Sequence, residues 1–265
     1  MTQNHQESLI EDLVLANHIL YNEGVLDGFG HISVRNPLDA STFFIARSMA
    51  PGLVKAQDIL LCDLDGVIHD DQKRNSYVER YIHSEIYRAR PDIQSVVHSH
   101  SASVIPFGVT SQRLRPICHM SGFLGATTPI FEIRHSAGEG SDLLISSQKL
   151  GKALANTLGS STVALMRGHG SVAVAHSIKQ AVYRAIYTET NAKLQLESMK
   201  LGEIEYLSDA EASATSNMND QHLERPWQLW KEKAKQARWL NNERKLFTNP
   251  KFQAFVFKEL SFVKA

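Results

Sequence analysis

Two histidines one residue apart close a short apolar run, Val96-Val97-His98-Ser99-His100. On a β-strand alternate side chains face the same way, so His98 and His100 would share a face with Cα atoms roughly 6–7 Å apart. At that spacing two imidazoles can converge on one divalent cation. A third histidine follows much later, in Met166-Arg167-Gly168-His169-Gly170, just after the apolar run Val163-Ala164-Leu165. Three neutral imidazoles with positions left open describe a catalytic metal site and not a closed structural one. His-x-His alone is a weak signal, and a histidine between two glycines is commonly only a turn residue. The weight rests on the combination.

The elements that must position these groups are readable from periodicity. Ser8 to Gly24 reads as an amphipathic helix, with Leu9, Leu13, Ala16 and Leu20 at helical spacing and Gly24 as a stop. After the Gly28-Phe29-Gly30 turn, three strands are expected at 31–35, 42–46 and 59–63, close enough to pair antiparallel. A helix is expected over 76–90, stopped by Pro91, then the histidine strand at 93–98 and a short helix from about Ser101. The stretch 115–136 mixes apolar and turn residues, and its Cys118-His119-Met120 could approach the site, although a packed histidine is the stronger reading. A helix over 147–158, a strand over 162–166 and a long helix over 177–200 follow. Residues 208–220 read as a polar loop. The basic, aromatic segment from Glu224 opens a helix at Pro226-Trp227. We expect one catalytic domain over 1–220 and a helical extension over 221–265 that packs on a neighbouring subunit.

Glu79 is the first carboxylate to weigh. Ser76-x-x-Glu79 matches a capping box, in which the glutamate only satisfies backbone N–H groups at a helix end. On pattern alone that is the stronger reading.

The bulk numbers narrow the function. Among 265 residues, Lys+Arg and Asp+Glu are 28 each, so there is no electrostatic case for nucleic acid or an anionic membrane. A composition 43% hydrophobic and 21% charged is ordinary for a soluble globular protein. No run approaches the roughly 18 apolar residues of a membrane span. The start of the chain is polar, with no signal-peptide core. Two cysteines, Cys62 and Cys118, lack metal-knuckle spacing, read as small buried hydrophobes, and suit a reducing cytoplasm. His5, His69, His176 and His222 sit in polar surroundings and are expected to be exposed.

The ordered motifs Glu79-Arg-Tyr-Ile-His83, Tyr87-Arg-Ala-Arg-Pro-Asp-Ile93, Val97-His98-Ser-His100 and Arg167-Gly-His169-Gly resemble the class II aldolase/adducin family. The similarity runs from the first helix to about Leu196. It implies an α/β fold, a three-layer α/β/α sandwich with a mostly antiparallel central sheet, assembled as a cyclic homotetramer. It also implies that His98, His100 and His169 are metal ligands and Glu79 the catalytic acid/base. The departures bear on substrate. Sugar-phosphate aldolases of the family carry Gly-Asn, a Thr/Gly-rich turn and a Ser-Ser pair where this chain has Gly30-His31, Ala46-Arg47-Ser48 and Tyr77-Val78. Small polar groups that cradle a phosphate are thus replaced by bulkier, aromatic or cationic ones. Arg47, Ser48 and His31 become candidates for binding a planar carboxylate, which arginine can hold bidentately.

Further details, including Gly24-Val25-Leu26-Asp27, Ile105-Pro106-Phe107-Gly108-Val109 and Glu224-Arg225-Pro226-Trp227, are similar to one branch of the family. That branch includes 3-hydroxy-2-methylpyridine-4,5-dicarboxylate decarboxylase, a manganese-dependent enzyme, and related hydroxy-aromatic acid decarboxylases. The expected activity is therefore a metal-dependent decarboxylation of a hydroxy-substituted aromatic or heteroaromatic (di)carboxylic acid, with Mn²⁺ first and Zn²⁺ or Fe²⁺ as alternatives. A metal-dependent aldolase on a non-phosphorylated aldol is the second reading, and an oxygen-using iron enzyme the third. A non-catalytic assembly module, as in adducin, is the last, because a scaffold has no physical need for this ligand set.

Overall fold

The computed structural model describes residues 3–247, with side-chain burial for 6–237. The chain runs α1 (Gln3–Asn22), β1 (His31–Arg35), β2 (Thr42–Ala46), β3 (Ile59–Asp63), β4 (Ile68–His69), α2 (Arg80–Ala89), β5 (Ser95–Ser99) and α3 (Ile105–Val109). It continues through β6 (Ile130–Phe131), α4 (Arg134–Ala137), α5 (Gln148–Leu158), β7 (Val163–Met166), β8 (Gly170–Ala175), α6 (Ile178–Ser198), α7 (Asp209–Asp220) and α8 (Glu224–Phe247).

The strands form one eight-stranded sheet in the order β4-β3-β2-β1-β5-β8-β7-β6. Every neighbouring pair is antiparallel except β6 and β7. The two-residue period of a strand splits its side chains between two cores. Ile32, Val34, Val97 and Ala173 join Leu13 and Leu20 of α1, Val182 and Ile186 of α6, and Trp227 and Trp230 of α8. Phe43, Ile45, Val96 and Val172 join Ile82 and Ile86 of α2 and Leu154 and Leu158 of α5. Helices therefore cover both faces, and each large side chain buried this way contributes roughly 1.5–3 kcal/mol. This is the three-layer α/β/α arrangement with a mostly antiparallel sheet that the resemblance implied.

Several boundaries differ from the sequence reading, each for a local reason. The first helix begins at Gln3, five residues before Ser8. Helix α2 starts at Arg80 and not at Ser76, because Ser76 forms an isolated bridge with Arg47 and its hydroxyl donates to the Ala46 carbonyl at 3.0 Å. The Ser76–Glu79 capping box is therefore absent. Residues 208–220, read as a loop, contain α7. Here a true capping box forms, with Ser208 and Glu211 satisfying each other's backbone N–H groups. The helix seats Ala212 against the 3₁₀ turn at 119–124, where a Cβ on Gly122 would meet the Ala212 carbonyl at 2.3 Å. The polar composition hid this contact. The segment expected to reach a neighbour begins on its own chain, since Trp227, Trp230 and Ala234 are buried in the core with α1 and α6. Its remainder, 248–265, lies outside the described residues, as do the surroundings of His5.

Candidate metal centre and substrate pocket

β5 carries His98 at its penultimate position, with His100 just beyond its end. His98 follows Val96 on the α2 side of the sheet, and the strand period turns His100 the same way. His169 arrives on the tight turn between β7 and β8. Both flanking glycines are required there: Gly168 has φ +67°, and a Cβ on Gly170 would lie 2.0 Å from the Ser99 carbonyl. The backbone of the turn can thus press against β5 and bring the third ring in.

The three rings meet at their Nε2 atoms. His100 Nε2 lies 3.1 Å from that of His98 and 3.0 Å from that of His169. Glu79 reaches in from the N-terminus of α2, its Oε2 3.4 Å from His98 Nε2 and 3.6 Å from His169 Nε2. Its Oε1 is held by the Ile145 amide at 2.9 Å. One donor atom from each of the four residues lies within 4.8 Å of all the others.

The outer ring nitrogens decide what sits at the centre. His98 Nδ1 faces the Ser171 carbonyl at 3.1 Å, and His169 Nδ1 faces the Leu143 carbonyl at 2.9 Å. A carbonyl can only accept, so both Nδ1 atoms carry the proton and both Nε2 atoms turn bare lone pairs inward. Burial, with neighbouring imidazoles, pushes His100 down to about 4 and His169 below its ordinary value, so these rings are neutral. Burial raises the Glu79 carboxyl, but positive charge at the His98 and His169 positions, which a cation held by neutral rings would supply, and the Ile145 amide outweigh it and bring it to about 2. Converging lone pairs beside a carboxylate repel one another unless a cation lies between them. The donor set and its hydrogen-bonded outer partners fit a divalent metal.

A cavity of about 420 Å³ opens over this cluster, with Glu79, His100, His31 and Ser48 among its lining. Tyr77 forms one wall, its ring 4.5 Å from that of His31 and its hydroxyl tied to the Met49 carbonyl at 2.8 Å. Phe29, Val78 and Leu144 make an apolar rim, Phe29 being 70% exposed. No lysine or arginine lines the cavity among the described residues.

The other residues singled out from the sequence separate. Ser48 and His31 are on the cavity wall. Arg47 is beside it, its Nε paired with Asp58 at 2.7 Å, which leaves the terminal amino groups of the guanidinium for another partner. His119 is exposed and borders a different cleft with Met120, Tyr183 and Tyr187. His69, His176 and His222 are exposed, Cys62 is buried and Cys118 half-buried, and neither cysteine is in a disulfide.

Residues 11–196 match the model of the Class II Aldolase and Adducin N-terminal domain, which is most of the chain. The chain belongs to that family. It is 41% identical over 239 residues to decarboxylase tropJ of Talaromyces stipitatus, covering 80% of this chain and 89% of that one. It is 30% identical over 207 residues to the 3,4-dihydroxyphthalate decarboxylase of Arthrobacter keyseri, covering 72% and 79%. In fold it is similar to L-fuculose 1-phosphate aldolase from Glaciozyma antarctica PI12, with TM-score 0.73 and 22% identity over 88% of this chain and 91% of that one. This family member is accordingly an enzyme of the lyase type.

Sequence reasoning missed a second buried polar array. His83 and Tyr87 lie one and two turns beyond Glu79 on the same face of α2, and they meet His31 and Ser33 of β1. The signal was present as polar residues at helical spacing facing polar residues at strand spacing.

Proposed function

We propose that this protein is a divalent-metal-dependent decarboxylase of hydroxy-substituted aromatic or heteroaromatic carboxylic acids. The observation that carries the reading is the convergence of the Nε2 atoms of His98, His100 and His169 beside the Glu79 carboxylate, under an apolar cavity without lysine or arginine. Such a cavity suits a flat ring. The decarboxylase relatives support the same choice.

His98, His100 and His169 would hold the metal, with Glu79 at its edge; Mn²⁺ is favoured, and Zn²⁺ or Fe²⁺ also suit imidazole. When bound, the ion supplies a Lewis acid that lowers the pKa of a substrate hydroxyl and draws electrons toward oxygen. Glu79 is a carboxylate at rest, so its first task is to take the proton of that hydroxyl. It then gives the proton to the ring carbon that bears the carboxylate. The bond to that carboxylate breaks, its electron pair restores the aromatic ring, and CO2 leaves. A proton from solvent completes the balance at the hydroxyl oxygen. Ile145 fixes one oxygen of Glu79, so the other keeps its aim through both transfers. Ser48 and His31 bind the departing carboxylate, and Tyr77 packs on the ring. Arg47, oriented by Asp58, takes the second carboxylate of a diacid.

We extend the proposal to a homotetramer in the cytoplasm. The family supports the assembly, and two unpaired cysteines fit a reducing compartment. Among the described residues no helix is long and apolar enough to cross a membrane.

The test is metal-reconstituted protein incubated with hydroxy-aromatic mono- and diacids and with non-phosphorylated aldols, following CO2 and aldehyde. CO2 release that depends on added metal is the expected result. Aldehyde without CO2 would move the assignment to an aldolase, and turnover indifferent to chelator would remove the metal.

A further inference from the structure

Behind the pocket wall, four side chains form an unbroken buried chain. His31 Nδ1 lies 2.6 Å from His83 Nε2, His83 Nδ1 lies 2.6 Å from Ser33 Oγ, and Ser33 Oγ lies 2.7 Å from Tyr87 Oη. All four residues are buried. Only His31 borders the cavity.

The direction of this chain follows from donor counting. The Tyr87 phenol has one proton, and among the described residues its one hydrogen-bond partner able to accept it is Ser33 Oγ. The Val96 amide also faces the phenol oxygen, but an amide N–H can only donate. Turning Ser33 toward Tyr87 instead would strand the buried phenol proton, at a cost of roughly 1–3 kcal/mol. Tyr87 therefore donates to Ser33, and Ser33 must pass its own proton to His83 Nδ1. His83 then carries its proton on Nε2 and donates to His31 Nδ1. A neutral His31 is left with its proton on Nε2. Tyr87 is itself clamped, with the Arg35 guanidinium 4.7 Å from its ring centre and bonded to its carbonyl at 2.8 Å.

We propose that Tyr87, Ser33 and His83 are positioning residues that lock His31 as the Nε2–H tautomer, so that the pocket wall presents a fixed hydrogen-bond donor to a carboxylate or carbonyl oxygen of the substrate. The inference rests on the pocket reading above for the identity of that oxygen, but the locked tautomer stands or falls separately.

The decisive measurement is long-range ¹H–¹⁵N correlation of the imidazoles in zinc-loaded, ¹⁵N-histidine-labelled protein, with His31 and His83 assigned from His31→Gln and His83→Asn. Both rings should be protonated on Nε2 alone. A proton on Nδ1 of either ring overturns the proposal, whether or not the protein turns over any acid. If the tautomers are as stated and no hydroxy-aromatic acid reacts, the proposed function falls and this inference remains. Tyr87→Phe keeps the ring and removes the terminal donor. It should mix the tautomers of His83 and His31 and weaken salicylate binding in calorimetry about tenfold, the scale of one hydrogen bond to a charged group. In the His31→Gln background, where the amide brings its own N–H, Tyr87→Phe should have no further effect. Equal losses in both backgrounds would show a merely structural tyrosine and defeat the proposal.

Discussion

Two histidine arrays adjoin across β1 and β5, where His31 stands in register opposite His98. They are wired in opposite senses. In the array of His98, His100 and His169, backbone carbonyls receive the outer N–H groups of His98 and His169, so lone pairs point inward. In the array of His31 and His83, hydroxyls supply the outer proton, so an N–H points inward. Burial favours the neutral ring in both. The residue type is the same, and the outer partner alone decides whether the group attracts a cation or an anion. A site that holds a metal beside a substrate oxygen uses both kinds.

The largest effect that separates the arrays is loss of the metal. His169→Ala should lose bound metal, measured by elemental analysis, and its CO2 release should fall to background. His83→Asn should keep metal stoichiometry. Retention of metal by the first variant, or loss by the second, breaks the contrast between the arrays. Glu79→Gln comes next: kcat should fall roughly 10²- to 10⁴-fold with metal content intact, the range of a general acid–base contribution. Activity within a few-fold of the parent would remove Glu79 from the proton transfers.

The second array should show itself in acid. Burial, and then His98 nearby, lowers His83 to about 3 from an ordinary value near 6.5. The unfolded chain then binds a proton at this histidine that the folded chain refuses. Its stabilising contribution is whole above about pH 6.5 and is lost as pH falls toward 3, at up to about 1.4 kcal/mol per pH unit. Urea unfolding of zinc-loaded protein between pH 7 and 5 should show this slope, and His83→Asn should flatten it by one proton. An unchanged slope would mean that His83 is charged and the donor chain is misdirected. The smallest expected effect lies outside both arrays. Arg47→Met should change kcat/KM less than about threefold for monoacids and about tenfold for diacids, from one charge-assisted contact at a partly exposed site. Equal losses on both substrates would reduce Arg47 to a support for the Ser48 loop.

Much of the site is legible along the chain. His98 and His100 share a face because strand geometry repeats every two residues, and His169 sits in a turn because two glycines surround it. The same local rules yield the strands at 31–35, 42–46 and 59–63 and the helices that cover them. Where those rules mislead, another interaction of equal reach competes. Ser76-x-x-Glu79 and Ser208-x-x-Glu211 have the same pattern, yet only the second becomes a capping box. The first is claimed by β2, which takes the serine, and by the cluster of His98, His100 and His169, beside which the glutamate lies.

What the residues settle by themselves is which groups are available and which of them share a face, because backbone periodicity is local. Only the tertiary structure decides what each side chain is bonded to. Glu79 meets Ile145 across 66 positions, His31 meets His83 across 52, and His98 meets the Ser171 carbonyl across 73. These distant partners place the proton on one ring nitrogen or the other. No pattern along the chain encodes that choice, since it depends on which polar atoms the folded core leaves within hydrogen-bond reach.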